Sequence, residues 1–215
     1  MGASLEVELK LRAETDAPLC TLAVADRLGP AALGPATEVA EVDRYLDTAD
    51  GRLWAAGWAC RLRSRGGETR ISLKGPPADG TAGALHRRPE IDGPATDDPQ
   101  PAAWPPSPAR EQLVHLSAGA DLGERLALRQ LRTERSVSID GERVGTLSLD
   151  RVRVERDGIE HGALLVVELE MDDRALERGV DPASMGQALL AIPGLIAEPH
   201  TKLERALALL PARAP

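Results

Sequence analysis

The sequence predicts an α+β domain built on a large antiparallel sheet or barrel. The main evidence is a set of short segments in which apolar and charged side chains alternate, which is the period of a strand with one buried face. Glycine and proline turns separate these segments, and only a few stretches have helical character. The 215 residues suit one domain with a substantial core, so we predict a single domain over residues 1–215.

The predicted strands are separated by clear turn signals. Gly66-Gly67, Asp140-Gly141 and Asp157-Gly158 mark turns between successive strands. Pro89 removes a backbone donor from its segment, which predicts an edge or bulged strand there. In chain order, the predicted strands cover residues 4–12, 38–48, 58–65, 69–74, 86–92, a part of 126–139, 143–155 and 163–172.

Helices are predicted between and after the strands. The first covers residues 16–28, with Thr15 or Asp16 as N-cap and Gly29 ending it. Residues 93–108 are rich in Pro, Asp and Ala, a composition typical of a mobile connector. The other predicted helical segments are residues 52–56, 109–117, 182–191 and 204–210.

The composition excludes several functional classes. A net charge of −8 gives no general basic field for DNA or RNA, and 2% aromatic residues leave few rings for base stacking. No apolar stretch is long enough to cross a bilayer, and no secretory signal precedes the first strand. Cys20 and Cys60 lack zinc spacing and predict reduced thiols. We therefore expect a cytoplasmic protein that binds neither nucleic acid nor membrane.

The first predicted strand carries the clearest functional signal. Because alternate side chains of a strand share a face, Glu6, Glu8 and Lys10 lie side by side, opposite a row of apolar residues. Adjacent carboxylates repel each other unless a cation lies between them, and Mg²⁺ and Mn²⁺ prefer oxygen ligands. The lysine could hold an anion that such a metal also contacts. Ordinary solvent-exposed strands show the same alternation, so this segment alone does not distinguish a metal-binding strand from a solvent-exposed one.

Other predicted strands repeat the alternation, with acids and bases largely on separate strands. Two arrangements fit: an open sheet with a solvent face of salt bridges, or a closed barrel whose charged faces line a tunnel. In the tunnel, metal-binding acids and phosphate-binding bases satisfy both sets of charges, and a polyanion such as triphosphate is the natural ligand. The number of concordant strands favours the tunnel. The repeated faces are Arg61/Arg63/Arg65, Arg70/Ser72/Lys74, Arg88/Glu90/Asp92, Thr146/Ser148/Asp150 and Glu168/Glu170/Asp172.

The remaining candidates are weaker. The four histidines are scattered without a zinc pattern. Trp54 and Trp58 are expected to pack against the barrel, since the chain has few aromatic residues to fill a core. Trp104 lies among prolines, where a lid, a partner contact and a loop anchor remain open. Asp47 is expected to fix its turn by local hydrogen bonds.

A series of motifs appears in the order seen in one known family. They are Glu6-x-Glu8-x-Lys10, Tyr45-Leu46-Asp47-Thr48, Arg61-x-Arg63, Ser72-Leu73-Lys74-Gly75-Pro76, Arg88-x-Glu90-x-Asp92, Leu149-Asp150, Glu168-x-Glu170 and Thr201-Lys202-Leu203-Glu204-Arg205. Over residues 5–210 the chain resembles CYTH domains, the triphosphate tunnel metalloenzymes. The resemblance implies an eight-stranded antiparallel β-barrel with helices packed outside, which binds triphosphate together with a divalent metal.

The resemblance also implies roles for individual residues. It assigns metal binding to Glu6, Glu8, Glu90, Asp150, Glu168 and Glu170. It assigns phosphate binding to Lys10, Arg61, Arg63, Lys74, Arg88 and Lys202, and catalysis to Glu8, Lys10 and Glu170. The family's basic pair on a middle strand falls near Arg132 and Arg135, which have opposite strand parity unless a bulge intervenes. Arg135 is favoured as the phosphate ligand.

The predicted function is metal-dependent hydrolysis of triphosphate to diphosphate and phosphate, with Mg²⁺ or Mn²⁺ as cofactor. Inorganic triphosphate is favoured, because the chain resembles relatives that carry a polyphosphate-linked CHAD domain and has few aromatic residues for a base or a thiamine ring. The alternatives are a lyase like the class IV adenylyl cyclases, and a module that binds polyphosphate or nucleotide without turnover. Whether the chain forms a homodimer stays open.

Overall fold

The computed structural model describes residues 4–79 and 81–211. The rest of the predicted 1–215 domain, residues 1–3, 80 and 212–215, lies outside this description. The strands are β1 (Ser4–Ala13), β2 (Arg27–Leu28), β3 (Ala31–Leu33), β4 (Thr37–Thr48), β5 (Ala59–Arg65), β6 (Glu68–Lys74), β7 (Leu85–Pro94), β8 (Leu122–Ile139), β9 (Glu142–Arg156), β10 (Ile159–Met171) and β11 (Leu195–Ala197). The helices are α1 (Ala17–Val24), α2 (Arg52–Ala55), α3 (Pro108–Ser117), α4 (Asp173–Glu177), α5 (Pro182–Leu190) and α6 (Lys202–Leu209), with a 3-10 turn at Pro101–Ala103.

Eight strands form a closed antiparallel barrel. Their order is β8-β4-β5-β6-β7-β1-β10-β9, and β9 pairs again with β8 to close the ring. Two-residue turns join β5 to β6, β8 to β9 and β9 to β10, at the positions where the sequence predicts turns. The short strands β2 and β3 extend the sheet from β8, and β11 pairs with β1. The predicted α+β fold class with an eight-stranded antiparallel β-barrel is confirmed.

Apolar side chains cover two sides of the barrel from outside. One cluster packs α1 and α5 onto β1, β9 and β10, with Leu19, Leu147 and Leu169 fully buried. A second cluster packs α3 and Trp104 onto β5 and β6 around the buried Leu62. Because side chains alternate along a strand, the charged residues between these apolar positions point into the barrel.

Helix α6 closes one end of the barrel interior. Its apolar face packs against barrel residues that share their strand faces with the interior charges. The members of this cluster are Tyr45, Leu126, Leu128, Val152, Val154, Leu203 and Ala206. A capping box between Thr201 and Glu204 begins the helix. Lys202 is therefore the first helical residue, at the edge of the charged interior.

Each predicted strand corresponds to one barrel strand, within a few residues at either end. The sequence pattern does not reveal β2, β3, β11 and α4, because elements of two to five residues are too short to show a period. The prediction of one helix over residues 16–28 is wrong at its C-terminal end. Helix α1 stops at Val24 and the chain turns extended at Ala25 before forming β2.

Pro89 lies inside the closed barrel, so the prediction of an edge or bulged strand is wrong. Strand β7 pairs with both β1 and β6 without a shift of register. Its pairing with β6 ends at Lys74 and Glu90, and the Pro89 carbonyl accepts a hydrogen bond from Gly75 N–H at 2.8 Å. The nitrogen of Pro89, which carries no hydrogen, therefore faces the segment that follows β6. The ladder between β6 and β7 has already ended there, so no ladder hydrogen bond is lost.

The connector between β7 and α3 is fastened to the barrel. Trp104 is 3% exposed within the second cluster, and its Nε1 donates to the Asp98 carbonyl at 2.7 Å. Of the three roles left open for Trp104, the structure supports the loop anchor. Trp58 packs against the same cluster, as expected. Trp54 does not, because its side chain is half exposed.

Among the described residues, no helix is both long enough and apolar enough to cross a membrane.

The helices cover only part of the outer face of the barrel, and this covering can be tested by stability. Leu147→Ala should lower the free energy of unfolding by about 2–5 kcal/mol, because it leaves a cavity in the first cluster. Leu131→Ala, on the neighbouring strand and 42% exposed, should cost less than about 1 kcal/mol. Chemical denaturation measures both, and equal losses would contradict the finding that the outer face is covered at Leu147 and open at Leu131.

Candidate active site

The barrel interior encloses a charged cavity of about 200 Å³. Seven cationic side chains line it: Lys10, Arg61, Arg63, Lys74, Arg88, Arg132 and Lys202. Six carboxyl groups face them: Glu6, Glu8, Glu90, Asp92, Glu168 and Glu170. The structure thus brings most of the predicted site residues to one volume, although they come from five strands and one helix. Among the predicted residues, Arg135 and Asp150 do not line this cavity.

The carboxylates of β1 and β10 form one acidic wall. The two strands are antiparallel neighbours, with Glu8 opposite Glu170 and Lys10 opposite Glu168. Glu6 Oε2 is buried and has no hydrogen-bond partner among the described residues. An unsatisfied buried oxygen is costly, so this wall favours a ligand that supplies positive charge or a donor.

Neighbouring carboxyl groups on this wall have pKa values shifted in opposite directions. Burial alone would raise the pKa of Glu8, but Lys10 and other nearby cations lower it to about 2. Burial is likewise outweighed at Glu168, where lysines hold the pKa well below its usual value. Burial raises the pKa of Glu170 to about 7. Within the described chain the Glu170 carboxyl makes no ion pair, which leaves its oxygens available to a ligand.

Lysine side chains bridge carboxylates of different strands. Lys10 Nζ lies 2.8 Å from Glu8 Oε1 and 3.3 Å from Glu168 Oε1. Lys74 Nζ bonds to Glu6 and lies 3.4 Å from a Glu90 oxygen. Burial lowers the pKa of a lysine, but here the carboxylates outweigh it and the pKa values of both lysines are raised. Both are therefore firmly cationic.

Arg61 and Arg88 retain unused donors. Arg88 is 3.6 Å from Glu8 and 3.7 Å from Glu6, and Arg61 is 3.5 Å or more from its acidic neighbours. These are ion-pair distances rather than hydrogen bonds. The Nε atoms of both arginines are buried without a hydrogen-bond partner among the described residues. An anion in the cavity would satisfy donors that the protein leaves free.

Arg132, and not Arg135, faces the cavity, so the preference for Arg135 is wrong. No bulge intervenes between the two residues, because the register of β8 with β9 shifts only after Val137. Their opposite parity therefore stands, and Arg132 bonds to Asp150 inside the barrel. Arg135 points out of the barrel and donates to backbone carbonyls. These belong to Leu22, Ala25, Leu33 and Gly34, at the end of α1 and around β3.

Asp150 binds cations of the protein instead of facing the cavity. Arg132 donates to its two carboxylate oxygens at 2.7 and 2.8 Å, and Lys202 bonds to one of them. The side chain is fully buried. Because both oxygens are taken, this structure does not offer Asp150 as a metal ligand, which differs from the prediction. Its contacts orient Arg132 and Lys202 at the cavity wall.

An interior pair of carboxylates on β4 is missing from the predicted site. Arg63 donates from Nε and Nη2 to Asp43, both at 2.7 Å, and lies 3.1 Å from Glu41. Burial would raise the pKa of Asp43, but the nearby arginines hold it well below its usual value. The alternation Glu41-x-Asp43-x-Tyr45 was the available signal, since it repeats the pattern of β1. Arg63 is therefore largely neutralised by the protein itself.

The residues present fit a hard divalent metal in the kind of atom they offer. Carboxylate oxygens of β1 and β10 are suitable ligands: Glu6 Oε2 is buried without a hydrogen-bond partner among the described residues, and Glu170 makes no ion pair there. No group of three His, Cys, Asp or Glu side chains within residues 4–79 and 81–211 is arranged to hold an ion. Lys10 and Lys74 contact these carboxylates instead. Metal binding therefore requires the lysines to yield some of these contacts.

The family assignment agrees with this geometry. The model of the CYTH domain matches residues 4–183. The chain belongs to the CYTH family. The matched segment of this CYTH protein contains all eight barrel strands and ends before α6 with Lys202. No curated protein sequence matches the chain.

Solved structures of similar fold share 19% sequence identity with this CYTH chain. HpAC1 from Hippeastrum, named as an adenylyl cyclase with a dominant triphosphatase activity, has a TM-score of 0.68 over 94% of this chain and 95% of its own. A Bacillus halodurans protein named as an adenylate cyclase has a TM-score of 0.64 over 95% and 98%. PH1819 from Pyrococcus horikoshii has a TM-score of 0.53 over 94% and 98%. At this identity the similarity establishes the fold.

The placement of the two arginines can be separated by experiment. Arg135→Met should lower the free energy of unfolding by about 1–3 kcal/mol, because buried carbonyls lose their donor. The folded variant should bind triphosphate as the unsubstituted protein does. Arg132→Met is the matched control and should weaken triphosphate binding by about tenfold or more. Denaturation and calorimetry give both quantities, and an equal loss of affinity in the two folded variants would contradict this placement.

Proposed function

We propose that this CYTH protein hydrolyses triphosphate to diphosphate and phosphate inside the barrel with a divalent metal, and that inorganic triphosphate is the favoured substrate. The observation that carries the proposal is the meeting in one cavity of unused donors on Arg61 and Arg88 with the unpartnered buried oxygen of Glu6. An anion alone would satisfy the first set and a cation alone the second. A metal-bound polyanion satisfies both.

The cationic wall binds the phosphate groups. Arg61 and Arg88 present guanidinium donors that suit phosphate oxygens, and Lys10, Lys74 and Lys202 add point charges around the cavity. Arg63 and Arg132 contribute charge but have their hydrogen-bonding edges occupied by Asp43 and Asp150. The enclosed volume also limits water, which strengthens each of these interactions.

The acidic wall would hold the metal. Glu6, Glu8, Glu168 and Glu170 are the proposed ligands, and bound Mg²⁺ or Mn²⁺ supplies positive charge to the phosphate oxygens and orients the reacting group. Lys10 and Lys74 then exchange a carboxylate partner for a phosphate partner. Both lysines keep an opposite charge beside them through this exchange, which limits the cost of binding.

The reaction consumes one water molecule. Its oxygen forms a bond to the terminal phosphorus, and the bond from that phosphorus to the bridging oxygen breaks. Diphosphate leaves with the electron pair, and the protons of the water pass to the products and solvent. Arginine and lysine side chains of the cavity stabilise the charge that spreads over the equatorial oxygens. This mechanism requires no covalent nucleophile.

The proposal predicts that Glu8→Gln lowers metal-dependent phosphate release from triphosphate by about 100-fold or more, because it removes an anionic ligand from the acidic wall. Glu68→Gln, at an exposed position of β6, is the matched control and should keep full activity. Phosphate release is measured from triphosphate, ATP and long polyphosphate, with Mg²⁺, with Mn²⁺ and with chelator. Full activity of Glu8→Gln would falsify the assignment.

The same measurements separate the rival functions. Formation of cyclic AMP from ATP would indicate a lyase. Tight binding of triphosphate or polyphosphate without phosphate release under either metal would indicate a binding module. In both cases the proposed hydrolase would be wrong although the anion site remained.

A further inference from the structure

A second cavity adjoins the charged one near the end of β1. It has a volume of about 390 Å³ and is lined by the last part of β1, the first half of β10 and the segment around the start of α6. We call it the α6 recess. Lys10 and Lys202 line both cavities, so these two lysines form a wall between them. An anion that moved from one cavity to the other would therefore stay beside cations.

Two rows of cationic side chains lead from this wall into the recess. Arg12 follows Lys10 by two residues on β1, and alternate residues of a strand share a face. Arg205 follows Lys202 by three residues on α6, and residues three apart are neighbours on a helix. The Arg12 side chain is 34% exposed and that of Arg205 is 41% exposed. Both guanidinium groups are therefore accessible from solvent as well as from the wall.

The two arginines leave most of their donors unused. Arg12 lies 3.6 Å from Glu14 and 3.6 Å from Glu198, and Arg205 lies 3.3 Å from the same oxygen of Glu198. These contacts are ion pairs, and within the part of the chain that the structure describes neither guanidinium group makes a hydrogen bond. Guanidinium groups with free donors suit the oxygens of an oxyanion.

The Glu198 carboxylate lies between these arginines and is incompletely satisfied. Its side chain is only 4% exposed, and Oε2 is buried without a hydrogen-bond partner among the described residues. Oε1, by contrast, accepts a hydrogen bond from the His200 N–H at 3.0 Å and lies 2.9 Å from the His200 Nδ1. A buried oxygen without a donor is costly, so Oε2 favours a ligand that donates a hydrogen bond.

The backbone on both sides of the Glu198 side chain is attached to the barrel. Its N–H donates to the Lys10 carbonyl at 3.0 Å, and its own carbonyl accepts a hydrogen bond from His86 Nε2 at 2.7 Å. Lys10 belongs to β1 and His86 to β7, so Glu198 is connected to two neighbouring barrel strands. Its carboxylate therefore has a fixed position beside the wall of the charged cavity.

We propose that the α6 recess binds orthophosphate, with Arg12 and Arg205 donating to its oxygens and Glu198 Oε2 accepting a hydrogen bond from its hydroxyl group. Orthophosphate near neutral pH keeps at least one hydroxyl, so it is an anion that also donates a hydrogen bond. The arginines require the anion, and the unpartnered carboxylate oxygen requires the donor. Sulfate has the same shape but no hydroxyl, and it would place a bare oxygen against the carboxylate.

The proposed function supplies this ligand beside the recess. Hydrolysis of triphosphate releases orthophosphate in the charged cavity, and Lys10 and Lys202 would stay beside the product as it moves into the recess. The inference rests on the proposed function for this origin of the ligand only, because binding of phosphate to the recess requires no turnover.

The test compares phosphate with sulfate by calorimetry, without metal or triphosphate. The unsubstituted protein should bind phosphate about tenfold or more tightly than sulfate, the size of one hydrogen bond to a charged group. Glu198→Gln removes the negative charge that repels sulfate and offers sulfate an amide donor. Sulfate should therefore bind this variant more tightly than it binds the unsubstituted protein, and the preference for phosphate should fall to about threefold or less.

Two further variants locate the site. Arg205→Met, at a partly exposed position, should fold normally and bind phosphate about tenfold more weakly. Because both anions also fit the charged cavity, Arg88→Met is the matched control. It removes a cation that lines the charged cavity and not the recess, so it should keep the preference for phosphate.

Three results would overturn the inference. They are equal affinities of the unsubstituted protein for the two anions, parallel changes of both affinities in Glu198→Gln, and loss of the preference in Arg88→Met but not in Arg205→Met. None of them bears on triphosphate hydrolysis, which the Glu8→Gln measurement tests separately. If the hydrolase is wrong, the comparison of phosphate with sulfate still decides whether the recess binds phosphate.

Discussion

Pairing of buried charges is the constraint on which the rest of the structure depends. A closed barrel with thirteen charged groups around a small cavity is stable only if acids and bases meet, because an isolated ion in a dry interior is very costly. The pairs join strands that are distant in sequence, such as Lys74 with Glu6 and Arg132 with Asp150. Closure and register are therefore not separable from the charge pattern, since a one-residue slip would turn a charged row outward.

The interior ion pairs are of two kinds. Arg63 with Asp43 and Arg132 with Asp150 are two-point pairs at 2.7–2.8 Å, held by strands β4, β5, β8 and β9. The contacts of Lys10 and Lys74 with the acidic wall are single-point contacts. Ammonium groups on flexible stems change partners more readily than a planar fork does. The barrel can thus stay folded without ligand through the first kind, and exchange partners on binding through the second.

The alternation of side chains along strands is the reason that much of the site can be predicted from the sequence. A period of two fixes which residues share a face, so the rows on β1, β5, β6, β7 and β10 follow from the sequence before any contact is known. The same rule also puts Glu41 and Asp43 of β4 on one face with Tyr45, so these two carboxylates follow from the sequence as well. Between Arg132 and Arg135 alternation gives two answers, and only the pairing of β8 with β9 shows which face is inside.

Tertiary context decides the features that local patterns leave open. Pro89 is tolerated in a barrel strand because β6 ends one residue earlier, which depends on strand length and not on the proline itself. Trp54 is half exposed on the four-residue helix α2, whose first turn is anchored by the Asp47 carboxylate. Neither feature produces a periodic pattern or a compositional bias in the sequence from which it could be predicted.

Helix α6 joins the closing of the barrel to its charge balance. Leu203 and Ala206 fill the end of the interior, and this apolar packing places Lys202 against Asp150 and 2.7 Å from Glu168. The match to the CYTH family ends at residue 183, before this helix. Without α6, Asp150 and Glu168 would keep only Arg132 and Lys10 as cationic neighbours. The apolar end of the barrel interior, which Leu203 and Ala206 cover, would also be open to water. The apolar face of α6 and its first residue, Lys202, therefore contribute to the site together.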